Sequence, residues 1–412
     1  MKARFRLDLF SVVILQGSAQ PGAFGVDDVY INLQAPPAVI PGGGATFMGA
    51  QVGAASWGPK NVPIACNTPG DLTSNFGPPI GSGFDLVQEG ALFLKQGPLG
   101  GVLCVRVAHA GDAAATGVLV DTVPATGLSI TGLYTGTFGN SILVSLFPGS
   151  KDSASQHYWK VVVQAGGFNP EVFDNILQSS TPATTWSNIL AAINTGQSVV
   201  RGPSQFITAT IASSSAQPAT AGQTISLAGG LNGSALTSAD QIGVDGGAGS
   251  RTGLYALRGT GADVVWLTGN TDATQFSVLQ TFAQQELMLA IGGFPTGTSI
   301  ATAIASKITQ GTDNPWIALA KDFVSYNDTI LNAQVSVPPM CVIAGVCCRM
   351  ATYASPSNQP VNGILGTERS LAVNAQPYGY SDLSSLQNAG IMVVTNPVPA
   401  GKFFGVRNGA NS

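Results

Sequence analysis

The chain has 412 residues, of which only 9% are charged and 44% hydrophobic, and its formal net charge is −4. An ordinary soluble domain carries roughly 25% charged residues, and a disordered chain needs low hydrophobicity with high net charge, so the sequence is that of a folded chain with a sparsely charged surface. No Lys/Arg run supplies the clustered cations that nucleic-acid binding needs, and no stretch approaches the ~20 consecutive apolar residues that cross a bilayer.

The length suits two or three domains around a sizeable core. A surface built from Ser, Thr, Asn, Gln and Gly costs little to desolvate, since burying charge costs far more than burying small polar groups. Obligate assemblies favour such surfaces, and Ser/Thr-rich secreted β-proteins have them too. Composition leaves both open.

Residues 1–44 read as an N-terminal arm and linker. Met1 to Gln20 carries Lys2, Arg4 and Arg6 ahead of an apolar run from Leu9 to Leu15. The run is short and Asp8 stands at its start, so it is read as an ordered arm rather than a leader. Val29 to Leu33 is strand-like, and the Pro/Gly stretch from Ala35 to Gly44 excludes helix. With no hairpin partner nearby, Val29, Tyr30, Ile31 and Leu33 are candidates to complete the sheet edge of another subunit.

Residues 45–112 read as the first half of an α/β core domain. Ala45 to Val52 alternates weakly, Asp71 is a candidate helix cap ahead of Leu72 to Phe76, and Phe84 to Lys95 places Phe84, Val87, Ala91 and Leu94 on one helical face. Gly97 and Pro98 stop that helix, and Val102 to Val107 follows as a strand. Residues 113–245 change character and read as an inserted β-rich domain. Short pieces such as Gly127 to Ile130, Ile142 to Leu146 and Trp159 to Val163 are separated by Gly, Ser and Thr. Helical periodicity survives only at Glu171 to Leu177 and Thr185 to Ile193.

Residues 246–385 restore the α/β rhythm as the second half of the core. Asp263 to Leu267 is a buried strand, Thr274 to Glu286 a helix with Phe276, Leu279 and Ala283 in phase, and Leu287 to Ile291 the next strand. Such a βαβ unit implies parallel pairing with a right-handed crossover. Ser299 to Thr309 reads as another helix and Pro315 to Leu319 as another strand, and residues 386–412 begin a C-terminal region. The fold class is therefore mixed α/β: a core domain interrupted by a β-rich insertion, with extended terminal arms.

Catalytic chemistry finds little to build on. The two histidines, His109 and His157, sit at a strand end and in a polar turn, where a surface or cap role fits. No G-x-S-x-G elbow, H-E-x-x-H or Asp-rich calcium loop occurs, the Gly-rich Gly42 to Gly44 matches no phosphate loop, and Gly401-Lys402 is followed by Phe403 where Ser or Thr is needed. The adjacent Asp27 and Asp28 diverge in an extended arm, unlike a glycosidase pair. The five cysteines, Cys66, Cys104, Cys341, Cys347 and Cys348, form no CxxC pair; they read as small buried hydrophobes, with an inter-subunit disulfide as the alternative. No catalytic, metal or cofactor site is expected.

The most informative segment is Ser336 to Gly366. Val337-Pro338-Pro339 leads through an apolar stretch, read as a strand at Cys347 and Cys348, into a polar loop with Pro356 and Pro360 and a turn from Val361 to Gly366. This order, VPP-x(4)-AGV and then V-x-G-x-x-G, resembles the segment found late in phage tail sheath proteins. Other blocks resemble that family in the same order. They are Ala45 to Gln51 with Gly58-Pro59 to Pro63, Phe76-Gly77 after Asp71-Leu72, Ala228 to Gly233, Pro315-Trp316, and Leu386 to Val393 followed by Gly401 to Asn408. The family's Pro-Gly-Val-Tyr-Val-Glu start is replaced by Phe24 to Ile31, and its helix-rich C-terminal domain would follow the GxR strand, whereas the sequence ends at Ser412. On this reading either the sequence is partial or the C-terminal contacts are made differently.

The resemblance implies a non-enzymatic virion subunit, assembled in the host bacterial cytoplasm, that polymerises as a helical stack of hexameric rings around a tail tube protein and meets baseplate and tail terminator proteins, with no nucleic acid and no membrane insertion. It makes terminal strands join neighbouring subunits' sheets, which adds Phe403, Phe404 and Val406 to Val29, Tyr30, Ile31 and Leu33 as inter-subunit strand candidates. A tube or baseplate component, or a secreted polysaccharide-active enzyme, are the alternatives.

Overall fold

The computed structural model describes residues 13–16, 30–33, 47–212, 214–350, 356–357, 359–371, 378–395 and 405–407. It divides into two units, residues 1–46 and 47–412. The first holds β1 (Val13–Gln16) and β2 (Tyr30–Leu33), paired in parallel with Val13 opposite Tyr30.

The second unit begins with β3 (Gly49–Gly53), β4 (Ile64–Cys66), α1 (Pro69–Phe76), α2 (Leu86–Leu94) and β5 (Val102–Arg106). Thr68, not Asp71, caps α1. Thr68 Oγ1 accepts the Asp71 N–H at 3.1 Å and Asp71 Oδ2 accepts the Thr68 N–H at 2.9 Å, a reciprocal capping box. Asp85 caps α2, its Oδ1 accepting from the Val87 and Gln88 amides.

The chain then leaves the core for β6 (Asp112–Val120), β7 (Thr126–Thr135), β8 (Leu143–Pro148), β9 (Tyr158–Gln164), β10 (Glu171–Leu177), α3 (Pro182–Asn194), β11 (Ile207–Ile211), β12 (Gln223–Ser226) and β13 (Leu231–Asn232). These strands form two four-stranded antiparallel sheets, ordered β10-β9-β8-β12 and β11-β7-β6-β13. Val144, Leu146 and Val161 of one sheet share a core with Leu119, Leu128 and Ile130 of the other, and Trp186, Ile189 and Ile193 of α3 join it. Glu171 to Leu177, expected as a helix, is β10. A register shift between Phe173 and Ile176, with Asn175 at φ +58°, puts both side chains in the core three residues apart, a bulge that mimics helical spacing.

After α4 (Ser238–Ile242) the core resumes with β14 (Val264–Leu267), α5 (Phe276–Glu286), β15 (Leu289–Gly293), α6 (Ile300–Gln310) and β16 (Ile317–Lys321). A small sheet of β17 (Val324–Asp328), β18 (Ala333–Val337) and β19 (Gly366–Thr367) encloses α7 (Met340–Arg349) in sequence, and α8 (Glu368–Leu371), α9 (Tyr380–Asn388), β20 (Ile391–Thr395) and β21 (Gly405–Arg407) follow. The core sheet has eight strands in the order β21-β20-β16-β15-β14-β3-β5-β4, parallel from β20 to β5 and antiparallel at both ends. Its strands are apolar on both faces because both are covered. Val264 and Trp266 pack with Leu92, Phe93, Ile343 and Val346 of α2 and α7, while Val265 and Leu267 pack with Leu279 and Phe282 of α5.

Candidate functional site

The Ser336–Gly366 segment is framework. The apolar stretch Val342 to Cys348, whose Cys347 and Cys348 were expected in a strand, is the body of α7. Eight of its ten residues are buried, and a helix buried on all sides shows no amphipathic period. A Cβ on Gly345 would stand 2.6 Å from Gln96 Cγ and 2.8 Å from the Phe93 carbonyl oxygen, so glycine lets α7 approach the end of α2. Gln96, fully buried there, donates through Nε2 to Asn362 O at 2.9 Å and accepts the Asn362 N–H at 2.9 Å. Arg349, the segment's lone charged group, donates to the carbonyls of Pro360 (2.8 Å) and Gln96 (3.3 Å). The turn at Val361 to Gly366 is thereby clasped to α2, with Gly363 at φ +76°.

The strand candidates separate. Tyr30, Ile31 and Leu33 lie in β2, which already has a partner along one edge. The expectation of a strand with no local partner is corrected: Val13–Gln16, lying across a parallel connection rather than a hairpin, supplies one. Val406 lies in β21, where it pairs with Val394 of β20, and among the described residues β21 is the edge strand of the core sheet. Val29, Phe403 and Phe404 lie outside the described residues.

Sequence reasoning missed four buried polar groups. Arg106, fully buried at the end of β5, donates to Ala55 O (3.1 Å), Gly58 O (2.6 Å) and Thr135 Oγ1 (3.3 Å), joining the core to β7. Burial pulls its pKa down to about 10, partly countered by Asp112. Glu89 of α2 accepts the Trp266 indole N–H at 3.0 Å and the Gly269 amide at 2.6 Å, and burial pushes its carboxyl up to about 8. Asp85 accepts four amide N–H groups, which pull its carboxyl down, but burial outweighs them and raises it to about 6.

The fourth lies where β16 ends. Lys321 Nζ donates to Asp322 Oδ1 at 2.5 Å and to the Tyr378 hydroxyl at 3.2 Å, that hydroxyl donates to Asp322 Oδ2, and the Arg369 guanidinium lies 4.0 Å over the Tyr378 ring. Lys321 and Asp322 are adjacent in the sequence, but Tyr378 and Arg369 lie about 50 residues further on. The only legible signal was a charge directly after an apolar run, at Arg106 and Lys321.

His109 Nδ1 lies 2.8 Å from Asp240 and His157 Nδ1 lies 3.1 Å from Asp152, each a local strut. Cys66, Cys104, Cys341 and Cys348 are buried, Cys347 is half-buried, and all five are free thiols. Burial raises the Cys347 thiol to about 12 and drives those of Cys341 and Cys348 up as well, which fits inert core residues. Among the described residues no group of three His, Cys, Asp or Glu is placed to hold a metal ion, and no helix is long and apolar enough to cross a membrane.

No protein-family model matches the chain. A tail sheath protein of Burkholderia phage BcepMu is 32% identical over 192 residues, 42% of this chain and 40% of that protein, so the match spans about two-fifths of the curated relative. The sheath tail protein of Listeria innocua superposes with a TM-score of 0.59 at 17% identity, covering 89% of this chain and 69% of its own. That of Desulfitobacterium hafniense gives 0.57 at 16% identity, covering 92% and 73%. The chain thus has the mixed α/β fold of the sheath tail proteins, and the resemblance to phage tail sheath proteins carried by its motifs is borne out.

Proposed function

We propose that the chain is a structural, non-enzymatic subunit of a contractile phage tail sheath. The observation that carries this reading is the likeness to a sheath tail protein over 89% of the chain, accompanied by 32% identity to a phage tail sheath protein over 192 residues. Subunits would form hexameric rings stacked helically around the tail tube, bounded by baseplate and terminator proteins, in a virion tail assembled in the host cytoplasm. Residues 113–245 act as an inserted domain carried by the core of 45–112 and 246–385. On contraction, subunits move as rigid bodies while the terminal segments bend.

The edge strands suit the connecting role. β2 has one paired side, and β21 closes one margin of the eight-stranded sheet; an unpaired strand edge is a template for another chain. Val29, Tyr30, Ile31, Leu33, Phe403, Phe404 and Val406 are proposed to make these links. The energy for contraction is the difference in buried contact between two lattices, so no nucleotide is required. Negative-stain electron microscopy of the purified chain tests the assignment: wide, short tubes of stacked rings are expected, and particles that never advance past a monomer or a single closed ring contradict it.

A further inference from the structure

Between Gly196 and Gly202 the inserted sheets carry a loop with a closed neck and an apolar tip. The Gln197 and Ser198 amides both donate to Arg201 O, at 2.8 and 3.1 Å, and the Arg201 amide donates to Ser198 Oγ at 3.0 Å. Gly196 takes φ +83°, and a Cβ there would stand 2.4 Å from the Gly202 carbonyl carbon, so the two legs of the loop touch. The base is anchored too. Gln197 Nε2 donates to Asp174 O at 2.7 Å, and the Arg201 guanidinium lies 4.1 Å over the Phe173 ring. At the tip Val199 and Val200 are 104% and 98% exposed. A solvated turn favours Gly, Asn, Asp and Ser; the neck holds two β-branched apolar side chains out against that preference.

The core carries an apolar recess. A groove of about 540 Å³ runs between α6 and α9. Ile304 and Ile308 come from α6, with Ile308 74% exposed, and Asn388 and Ala389 from the end of α9. Lys307, 6% exposed, donates to Ala389 O at 2.6 Å and pairs with Asp313 at 3.0 Å. That accounts for two of the three N–H groups of an ammonium.

We infer that the Val199–Val200 tip of one copy seats in the α6/α9 groove of another copy. The tip brings apolar side chains to an apolar wall. Its Val199 and Val200 carbonyls, which receive no hydrogen bond among the described residues, suit the remaining Lys307 donor and the Asn388 amide. The choice of a second copy rests on the lattice-subunit reading above. A tip on one part of the molecule meeting a pocket on another would be a heterologous contact, and such contacts propagate as open helices unless the rotation closes. The sparse charge of the chain keeps the desolvation of both patches inexpensive.

The test mixes a full-length Val199→Cys chain with a full-length Ile308→Cys chain under a short bismaleimide linker, with wild type and each variant alone as controls for the native thiols. Covalent pairs in the mixture that are absent from the controls are expected. In parallel, Val200→Asp and Ile308→Asp should keep the wild-type melting temperature and raise the concentration needed for polymer by about tenfold or more. If wild type polymerises while the mixture gives no pairs, or both Asp variants polymerise as wild type does, this contact is overturned and the sheath reading stands. Pairs formed by Val199→Cys alone would mean a tip-to-tip contact and overturn it as well. Mixed pairs without tubular polymer would sustain the contact and remove the sheath reading; neither pairs nor polymer would remove both.

Discussion

Glu89 is a carboxyl whose two oxygens face N–H groups inside a closed core, and burial raises it from 4.5 to about 8. Between those values the folded chain holds a proton that the unfolded chain has released, so stability falls as pH rises across that window and is fully recovered below it. Asp85 adds the same sign between 3.8 and about 6. Glu89→Gln keeps an acceptor and removes the titration. Its melting temperature should vary less between about pH 5 and 8 than that of wild type, and an unchanged profile would refute the assignment. At Gly345, alanine would gain about 1 kcal/mol of helix propensity, but its Cβ meets the Phe93 backbone oxygen at 2.8 Å. Overpacking costs about 1–3 kcal/mol and should win, so Gly345→Ala should lower the denaturation midpoint in urea. The glycine itself stood out in the sequence only through its motif; the close approach to Gln96 that demands it comes from a partner about 250 residues away and has no local signature.

At the scale of elements, what could be read depended on how each one is buried. The βαβ unit from β14 to β15 was legible because strands covered on both faces are continuously apolar and α5, covered on one face, keeps Phe276, Leu279 and Ala283 in phase. α7 was not, because a helix surrounded by core has no polar face to set a period. β10 was misread because its bulge imposes a three-residue spacing on Phe173 and Ile176. Arg106 was missed because a single charge at the end of a strand carries no information about the three acceptors that other elements bring to it. Those acceptors tie β5 and the Ala55–Gly58 turn to β7. Arg106→Met should strand them and cost about 3 kcal/mol by chemical denaturation, with the inserted sheets loosening first in hydrogen exchange at β6 and β7. Deleting residues 1–33 removes β1 and β2, which belong to a unit separate from the core; the truncated chain should melt as the full chain does yet fail to polymerise. Tubes of normal length from it would contradict the proposed role of the arm.

At the scale of the whole molecule, the three-layer core and its inserted sheets form a fold shared with sheath tail proteins over nine-tenths of the chain. The sparse charge that composition made plain has its counterpart in the described surface, where Val199, Val200, Leu287 and Ile308 stand exposed. Both features make association inexpensive, and the buried networks around Arg106, Glu89 and Lys321 tie separate elements of the fold to one another. The central claim is that this body repeats helically. Cryo-electron microscopy of the purified full-length chain, concentrated until it assembles, measures that directly. The account predicts tubes of stacked six-fold rings with an open central channel wide enough for a tail tube. Particles that remain monomeric at every concentration, or filaments without a channel, would contradict it.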